Sequence, residues 1–190
     1  IDLHPNNSNY SFAYGVQNGT QSGWAYLSPN IHQSAVVWSG SVGSLVNISP
    51  EESSDSCVYG AGGGQTVGWA RLVGPYYAML WTSEDADSGV SLHPINAQFS
   101  YATAAGSGQQ VGYIVTNTLT NKACLWTGSA ASYVNLAPAE ATSSVAWGAH
   151  GGQQVGYATT FGSSKASLWT GTAASWVNLH PVGATASIAN

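Results

Sequence analysis

The stretch GGQQVGYATTFGSSKASLWTGTAASWVNLHP, residues 151–181, is the most informative part of the sequence because similar stretches occur elsewhere in the chain. Residues 107–138 repeat it as SGQQVGYIVTNTLTNKACLWTGSAASYVNLAP, and residues 63–94 repeat it more loosely as GGQTVGWARLVGPYYAMLWTSEDADSGVSLHP. Internal repeats of this size are typical of stacked arrays and propellers rather than of a single irregular domain.

Three anchor residues measure the repeat, and each of them returns every 43–45 residues. The anchors are the proline of the LHP phrase (Pro5, Pro50, Pro94, Pro138, Pro181), the glycine of VGY (Gly23, Gly68, Gly112, Gly156) and the tryptophan of ALW (Trp38, Trp81, Trp126, Trp169). Because the anchors stay in phase along the chain, we expect one repeat domain, 1–190. Its units run approximately over 6–50, 51–94, 95–138 and 139–181, with partial-unit strands at 1–5 and 182–190.

Each unit has the sequence pattern of four short β-strands. A strand rich in aromatic and small residues comes first, as in YSFAYGV, and a glycine-rich turn leads to a strand such as QQVGYA. A variable loop, the KASLW segment and the WVNL segment follow, and Gly, Ser, Asn and Pro bound the strands. The sequence therefore predicts an all-β, β-propeller-type array of four-stranded antiparallel units, about 44 residues per unit.

The repeated tryptophans and glycines have structural interpretations. A large aromatic residue in every unit is a usual packing device, so we predict that Trp38, Trp81, Trp126 and Trp169 are buried between units. A ligand platform is the alternative for these four side chains. The glycines of VGY predict a close approach of neighbouring backbone, or a bulge.

The composition excludes several classes of function. Only 6% of the residues are charged, the formal net charge is −5, and the basic residues are Arg71, Lys122 and Lys165. So few cations argue against nucleic-acid binding and against docking to an anionic membrane. No apolar run reaches 18 residues, which predicts no membrane insertion. The first residue is Ile1 rather than Met, so we expect a processed product or a segment of a longer chain.

The repeated motifs resemble those of the HAF extracellular-repeat family of bacteria. The similar features are GQQVGY, a variable loop, A-x-LW and VNL, and they recur over essentially the whole chain. The sequence departs from the family where Lys-Ala or Tyr-Ala replaces His-Ala, and where NLHP replaces DLG. The resemblance implies a secreted or surface-displayed, β-propeller-like array and implies no catalytic residues.

Residues capable of chemistry are present but do not form a recognisable set. His4, His93 and His180 share the LHP phase, but Ser49 and Ala137 interrupt it, so a hydrogen-bonding role at a strand exit is favoured over a metal ring. His32 and His150 have no partner in phase. The acidic loop Glu84, Asp85 and Asp87 occurs in one unit only and lacks the remaining ligands of a calcium loop, as does the patch Glu51, Glu52 and Asp55.

The two cysteines, Cys57 and Cys124, occupy positions that apolar or small residues take in other units, which predicts buried thiols rather than nucleophiles. No pair of carboxylates could be nominated for glycoside hydrolysis. The sequence therefore predicts no enzyme activity, no cofactor and no metal. Three N-x-S/T sequons begin at Asn6, Asn18 and Asn47 and are acceptors only where a glycosylation machinery acts on the chain.

Polar, nearly uncharged loops with aromatic residues favour a binding or scaffolding protein that recognises neutral carbohydrate on a glycan or other surface component. The resemblance to HAF repeats implies that such a protein is extracellular or lies at the cell surface. Trp24, Tyr76 and Tyr77 are the ligand-binding candidates because they lie near variable loops and break the repeat pattern. The alternative is a structural protein that self-assembles into an oligomer or filament through unpaired terminal strands. A third class is an enzyme whose site lies between units.

Overall fold

The computed structural model of the chain describes residues 1–6, 8–29 and 32–190. These residues form four antiparallel sheets, and the strands of each sheet follow one another in chain order. The sheets consist of β1 Ser11–Gln17, β2 Thr20–Tyr26, β3 Gln33–Trp38 and β4 Val46–Asn47; β5 Asp55–Gly62, β6 Gln65–Arg71, β7 Tyr76–Trp81 and β8 Val90–Ser91; β9 Phe99–Gly106, β10 Gln109–Val115, β11 Asn121–Trp126 and β12 Val134–Asn135; and β13 Ser143–His150, β14 Gln153–Thr160, β15 Ser163–Trp169 and β16 Val177–Asn178.

The turn between the first two strands of every unit has the same backbone geometry. Its two central residues both have positive φ, as at Asn18 (49°) and Gly19 (84°) and at Ser107 (53°) and Gly108 (76°). Two positive φ values in a two-residue hairpin turn match the type I′ turn, whose twist suits antiparallel strands. This geometry explains the glycine that ends each of these turns in the sequence.

The hydrophobic core lies between the sheets rather than within one of them. One buried cluster joins Val37 and Ile48 of the first unit to Trp81 of the second, and two further clusters join the second unit to the third and the third to the fourth. The four LW tryptophans are only 0–1% exposed, as the packing interpretation predicts. Because consecutive units share each core, no interior unit can bury its apolar faces alone.

The first strand of each unit crosses the sheet of the preceding unit, so that β5 contacts β1, β2 and β3. A serine in this strand, or Ser187 of the segment after the fourth unit, accepts a hydrogen bond from the backbone N–H of the alanine three residues before the repeated tryptophan. The distances are 2.9 Å for Ala35–Ser56, 2.8 Å for Ala78–Ser100, 2.9 Å for Ala123–Ser144 and 2.9 Å for Ala166–Ser187. This bond recurs at every seam and explains why small polar residues occur in the first strands.

The glutamines of GQQVGY also connect the units. Buried Gln110 accepts a hydrogen bond from the Gly128 backbone N–H at 2.7 Å and donates through Nε2 to Gln65 of the preceding unit at 2.7 Å. Gln154 makes the same two contacts, with Gly171 at 2.8 Å and Gln109 at 2.9 Å. The motif therefore holds neighbouring units together, because a buried amide must satisfy both its donors and its acceptor.

Residues 1–5 and 182–190, where partial-unit strands were expected, are not β-strands in the structure. Each of these two segments nevertheless contacts the neighbouring unit, as its position in the repeat predicts. Leu3 packs on the cluster around Trp38. At the other end, the backbone N–H of Ala189 donates to the Gly156 carbonyl at 3.0 Å. The terminal segment takes hydrogen-bond partners from the sheet beneath it.

The four sheets are shown by the structure, whereas a closed propeller is not. Among the described residues, strand pairing occurs only within each unit, and the buried clusters join consecutive units. No cluster in the described part of the chain joins the first sheet to the fourth.

Candidate functional site

A β-bulge in the first strand of every unit places one extra residue between two paired positions. In the first unit Ala13 pairs with Gly23 and Gly15 pairs with Ser22, which leaves Tyr14 without a partner on β2. The corresponding residues of the later units are Tyr59, Thr103 and Trp147. A bulge bends its strand and re-aims a side chain, so these positions are suited to form a site.

The four bulge residues line one cleft of about 780 Å³, together with Tyr113, Ile188 and Asn190. We call this set of seven residues the aromatic cleft. All four units and the terminal segment contribute to it, because consecutive first strands lie side by side. Its volume is within the range of small-molecule sites.

Thr103 explains why the row of bulge residues is open at its centre. Its side chain is buried, and its hydroxyl donates to the Ala146 carbonyl at 2.6 Å and lies 3.1 Å from the Val111 carbonyl oxygen. The other units have an aromatic ring at this position. The small threonine therefore leaves space between the rings of Tyr59 and Trp147.

Aromatic rings continue on both sides of the cleft. In the first unit Phe12 and Trp24 stack with their ring centres 4.8 Å apart, and Tyr26 and Tyr10 extend the group. We call Tyr10, Phe12, Tyr14, Trp24 and Tyr26 the first-unit cluster. On the other side the rings of Trp69, Tyr76, Phe99, Tyr101, Tyr113 and Trp147 contact one another across three units.

Three phenols of this surface, those of Tyr59, Tyr101 and Tyr113, stay protonated at neutral pH. Burial raises the pKa of Tyr59 and Tyr101, and burial together with neighbouring tyrosines raises that of Tyr113 to about 12. A protonated phenol donates and accepts hydrogen bonds. Tyr59 and Tyr113 therefore bring uncharged hydroxyl groups to the lining of the cleft. The Arg71 guanidinium lies 5.7 Å from the centre of the Tyr76 ring, where the two form a cation–π contact.

Two of the three residues proposed from the sequence belong to this surface. Trp24 lies in the first-unit cluster, and its indole N–H donates to the Tyr14 hydroxyl at 3.4 Å. Tyr76 stacks on Tyr101 at 5.8 Å. Tyr77 does not join them, because adjacent residues of a strand point to opposite faces. It stacks instead on His93, with ring centres 4.1 Å apart.

The residues that line the cleft are not among those that the sequence predicted to bind a ligand. Tyr14, Tyr59 and Trp147 each follow the small apolar residue of the first strand, and Tyr113 is the aromatic residue of the third VGY motif. Reading the position after each small apolar residue in all four units would have pointed to them.

The LHP histidines lie at the seams between units. His4 is hydrogen-bonded to Ser11 at 2.8 Å, His93 to Ser100 at 2.8 Å and His180 to Ser187 at 2.7 Å. These are the hydrogen-bonding roles that the sequence predicted. Burial lowers the pKa of His93, which favours its neutral form. Within the described ranges, no three His, Cys, Asp or Glu side chains are grouped in a way that could hold a metal ion.

The two cysteines are buried, and the acidic loop is hydrogen-bonded within itself and to the first unit. Cys57 and Cys124 are buried free thiols, and burial raises the pKa of both, so neither is an activated nucleophile. In the acidic loop, Asp85 accepts a hydrogen bond from the Asp87 backbone N–H at 3.1 Å and so caps a short 3-10 turn. Glu84 accepts a hydrogen bond from Thr20 of the first unit at 3.4 Å.

The three sequon asparagines are exposed, although Asn7, the middle residue of the first sequon, lies outside the described residues. Asn18 occupies the tip of the first hairpin. The Asn47 side chain accepts a hydrogen bond from the Ser49 backbone N–H at 3.0 Å, and Asn135 and Asn178 make the same bond two residues on. Asn47 is therefore a repeated turn residue as well as a sequon.

No protein-family model matches the chain, and no curated protein matches it significantly. The resemblance to HAF repeats accordingly stays a prediction from the motifs. Across the part of the chain that the structure describes, no helix is long and apolar enough to cross a membrane.

Proposed function

We propose that this chain is a non-catalytic binding module that acts outside the cell and that its aromatic cleft binds a neutral carbohydrate. The observation that carries the proposal is the lining of the cleft, which contains Tyr14, Tyr59, Tyr113 and Trp147. Amphipathic rings offer an apolar face and a polar edge, and a sugar ring needs both, because it has an apolar face and a rim of hydroxyls. The extracellular location rests on the resemblance to HAF repeats.

Binding rather than acid–base catalysis is proposed because of the groups that face the cleft. The lining residues are three tyrosines, a tryptophan, a threonine, an isoleucine and an asparagine. None of their side chains is a carboxylate, an imidazole or an amine, the groups most often used as general acids and bases. Such a lining stabilises a neutral ligand through stacking and hydrogen bonds to hydroxyls, the two kinds of contact expected of a mostly apolar pocket with a few placed polar groups.

The propeller arrangement is part of the same proposal. Each interior sheet is packed on both faces, and the bulge residues of all four units meet at one cleft. In a propeller the four-stranded blades surround a central channel. The four units would then be consecutive blades, and the aromatic cleft would belong to the channel.

Replacing Trp147 by alanine should weaken binding of a neutral oligosaccharide by about tenfold or more, which corresponds to ~1.4 kcal/mol, because an aromatic anchor is lost from the cleft. Calorimetry with a panel of uncharged oligosaccharides would measure the change, and the partly exposed indole of Trp147 provides a fluorescence signal. Phe161→Ala is the matched control, since Phe161 is an exposed ring in a loop outside the cleft. The proposal is wrong if the unmodified protein binds no member of the panel, or if the two variants bind equally well.

Self-assembly remains the second candidate, and the exposed faces at the two ends of the array favour it. Val16 of the first unit is 71% exposed, whereas Ala105, its equivalent in the third unit, is 8% exposed. Leu179 of the fourth unit is 45% exposed, whereas Leu92 and Leu136 are fully buried. Both faces carry the residue types that pack together between units, so copies of this 190-residue chain stacked end to end would cover both in a heterologous contact.

This alternative predicts that the mass of the particle measured by light scattering rises with protein concentration. Leu179→Lys should abolish the rise, because it places a charge in the contact. Val73→Lys, at an exposed loop position, should leave it unchanged. A strictly monomeric protein at all concentrations would exclude assembly through these faces.

A further inference from the structure

Thr103, at the bulge of the third unit, contacts the backbone beside both of the aromatic bulge residues that flank it. On one side, a Cβ atom added to Gly60, which follows Tyr59, would lie 2.7 Å from the Thr103 carbonyl oxygen. On the other side, the Thr103 hydroxyl donates at 2.6 Å to the carbonyl of Ala146, the residue before Trp147. Thr103 therefore lies between the two backbone segments that carry these rings of the aromatic cleft.

The hydroxyl group of Thr103 makes its hydrogen bond within the protein. The residue is only 7% exposed, and its Oγ1 atom lies between the carbonyl oxygens of Ala146 and Val111. Ala146 is fully buried, so its carbonyl takes this hydrogen bond in place of one with water. The bond crosses the seam between the third and fourth units and holds the backbone at the bulge of Trp147.

The pair Thr103 and Ala104 replaces a pattern that the other three units share. In those units an aromatic residue at the bulge is followed by glycine, as Tyr14-Gly15, Tyr59-Gly60 and Trp147-Gly148. The third unit has a small β-branched residue followed by alanine. An aromatic ring at this bulge would enter the space that Thr103 leaves between its two neighbours.

We propose that Thr103 is the specificity-determining residue of the aromatic cleft. This inference rests on the proposed function. The small side chain leaves room for the ligand between the rings of Tyr59 and Trp147, and the hydroxyl fixes the bulge that carries Trp147. The width of this space then selects the ligand, because a larger residue at position 103 would exclude it by steric clash. A residue of the same shape without the hydroxyl would release the backbone of one wall.

The first test restores the pattern of the other units with the double substitution Thr103→Tyr and Ala104→Gly. The ligand is the neutral oligosaccharide that the unmodified protein binds best. We expect its dissociation constant to rise by about tenfold or more, because the added ring occupies the place of the ligand. Circular dichroism would confirm that the variant is folded.

The second test separates the hydroxyl of Thr103 from its size. Thr103→Ser keeps the hydroxyl and should bind within about twofold of the unmodified protein, whereas Thr103→Val keeps the shape alone and should bind about fivefold or more weakly. The fluorescence of Trp147, measured as the difference between each variant and the same variant with Trp147→Phe, should change in Thr103→Val alone. Thr118→Val, the same exchange in an exposed loop, is the matched control.

The outcomes separate this inference from the proposed function. Unchanged affinity in the double variant would overturn the role of Thr103 and leave the cleft as a binding site, as would equal affinity and fluorescence of Thr103→Val and Thr103→Ser. Absence of binding by the unmodified protein would overturn the proposed function and this inference with it. If the double variant does not fold, the comparison of Thr103→Val with Thr103→Ser decides.

Discussion

Replacing Trp126 by alanine should lower the free energy of unfolding by about 3–5 kcal/mol, as expected for truncation of a large buried aromatic residue. Trp126 is fully buried in the cluster that joins the second unit to the third, where it packs with Leu80 and Leu92. Paired sheets flank this cluster on both sides, so the structure cannot collapse into the space that the ring leaves. Because both units share the cluster, each would lose part of its core.

The measurement is urea unfolding followed by circular dichroism, with Trp147→Ala as the matched control. Trp147 is also a tryptophan of a β-strand, but it is partly exposed at a bulge, and its removal should cost no more than about 1 kcal/mol. The pair of variants separates the two kinds of tryptophan in this chain. Similar losses for both, or a small loss for Trp126→Ala, would contradict the assignment of the LW tryptophans to the core.

Gly112→Ala should destabilise the protein by about 3 kcal/mol or more, because a Cβ atom at this position would overlap a backbone atom that has no room to move. The added methyl group would lie far inside van der Waals contact of the Tyr101 carbonyl oxygen on the neighbouring strand, next to the bulge. The glycines of the other three VGY motifs face the opposite carbonyl in the same way. Close approach of backbone is therefore the reason for this glycine in every unit.

Gly43→Ala provides the control for this prediction. Gly43 has no atom within 4 Å of an added Cβ, and two other units carry Ala131 and Ala174 at the same place in the short turn. Its substitution should be neutral or should stabilise the fold by about 0.4–1 kcal/mol through the unfolded state. Thermal unfolding of the two variants would show the difference, and a loss below about 1 kcal/mol for Gly112→Ala would contradict the clash.

Two of the three residues proposed from the sequence as a ligand site share one surface, and strand geometry explains why the third does not. Trp24 and Tyr76 lie on the aromatic surface, whereas Tyr77 points to the other face of its strand and packs on His93. The sequence offered Tyr76 and Tyr77 together because neither residue follows the repeat. Which of two adjacent residues faces a neighbouring unit depends on the packing of their strand. The loop before this strand varies between units, so the repeat in the sequence does not show which of the two residues faces that way.

The sequence by itself determined the repeat, the four-stranded units, the glycines of VGY and the tryptophans of the core. Each of these features follows either from a local requirement of the backbone or from burial of a side chain. Both kinds of requirement recur at the same position in every unit, so the repeat in the sequence shows them. Only the tertiary structure decided which aromatic residues share a surface and where that surface opens into a cleft. A bulge interrupts the two-residue period of each first strand, so the direction of Tyr14, Tyr59, Thr103 and Trp147 cannot be read from alternation. These four residues lie about 44 positions apart in sequence and meet only because each first strand crosses the sheet before it.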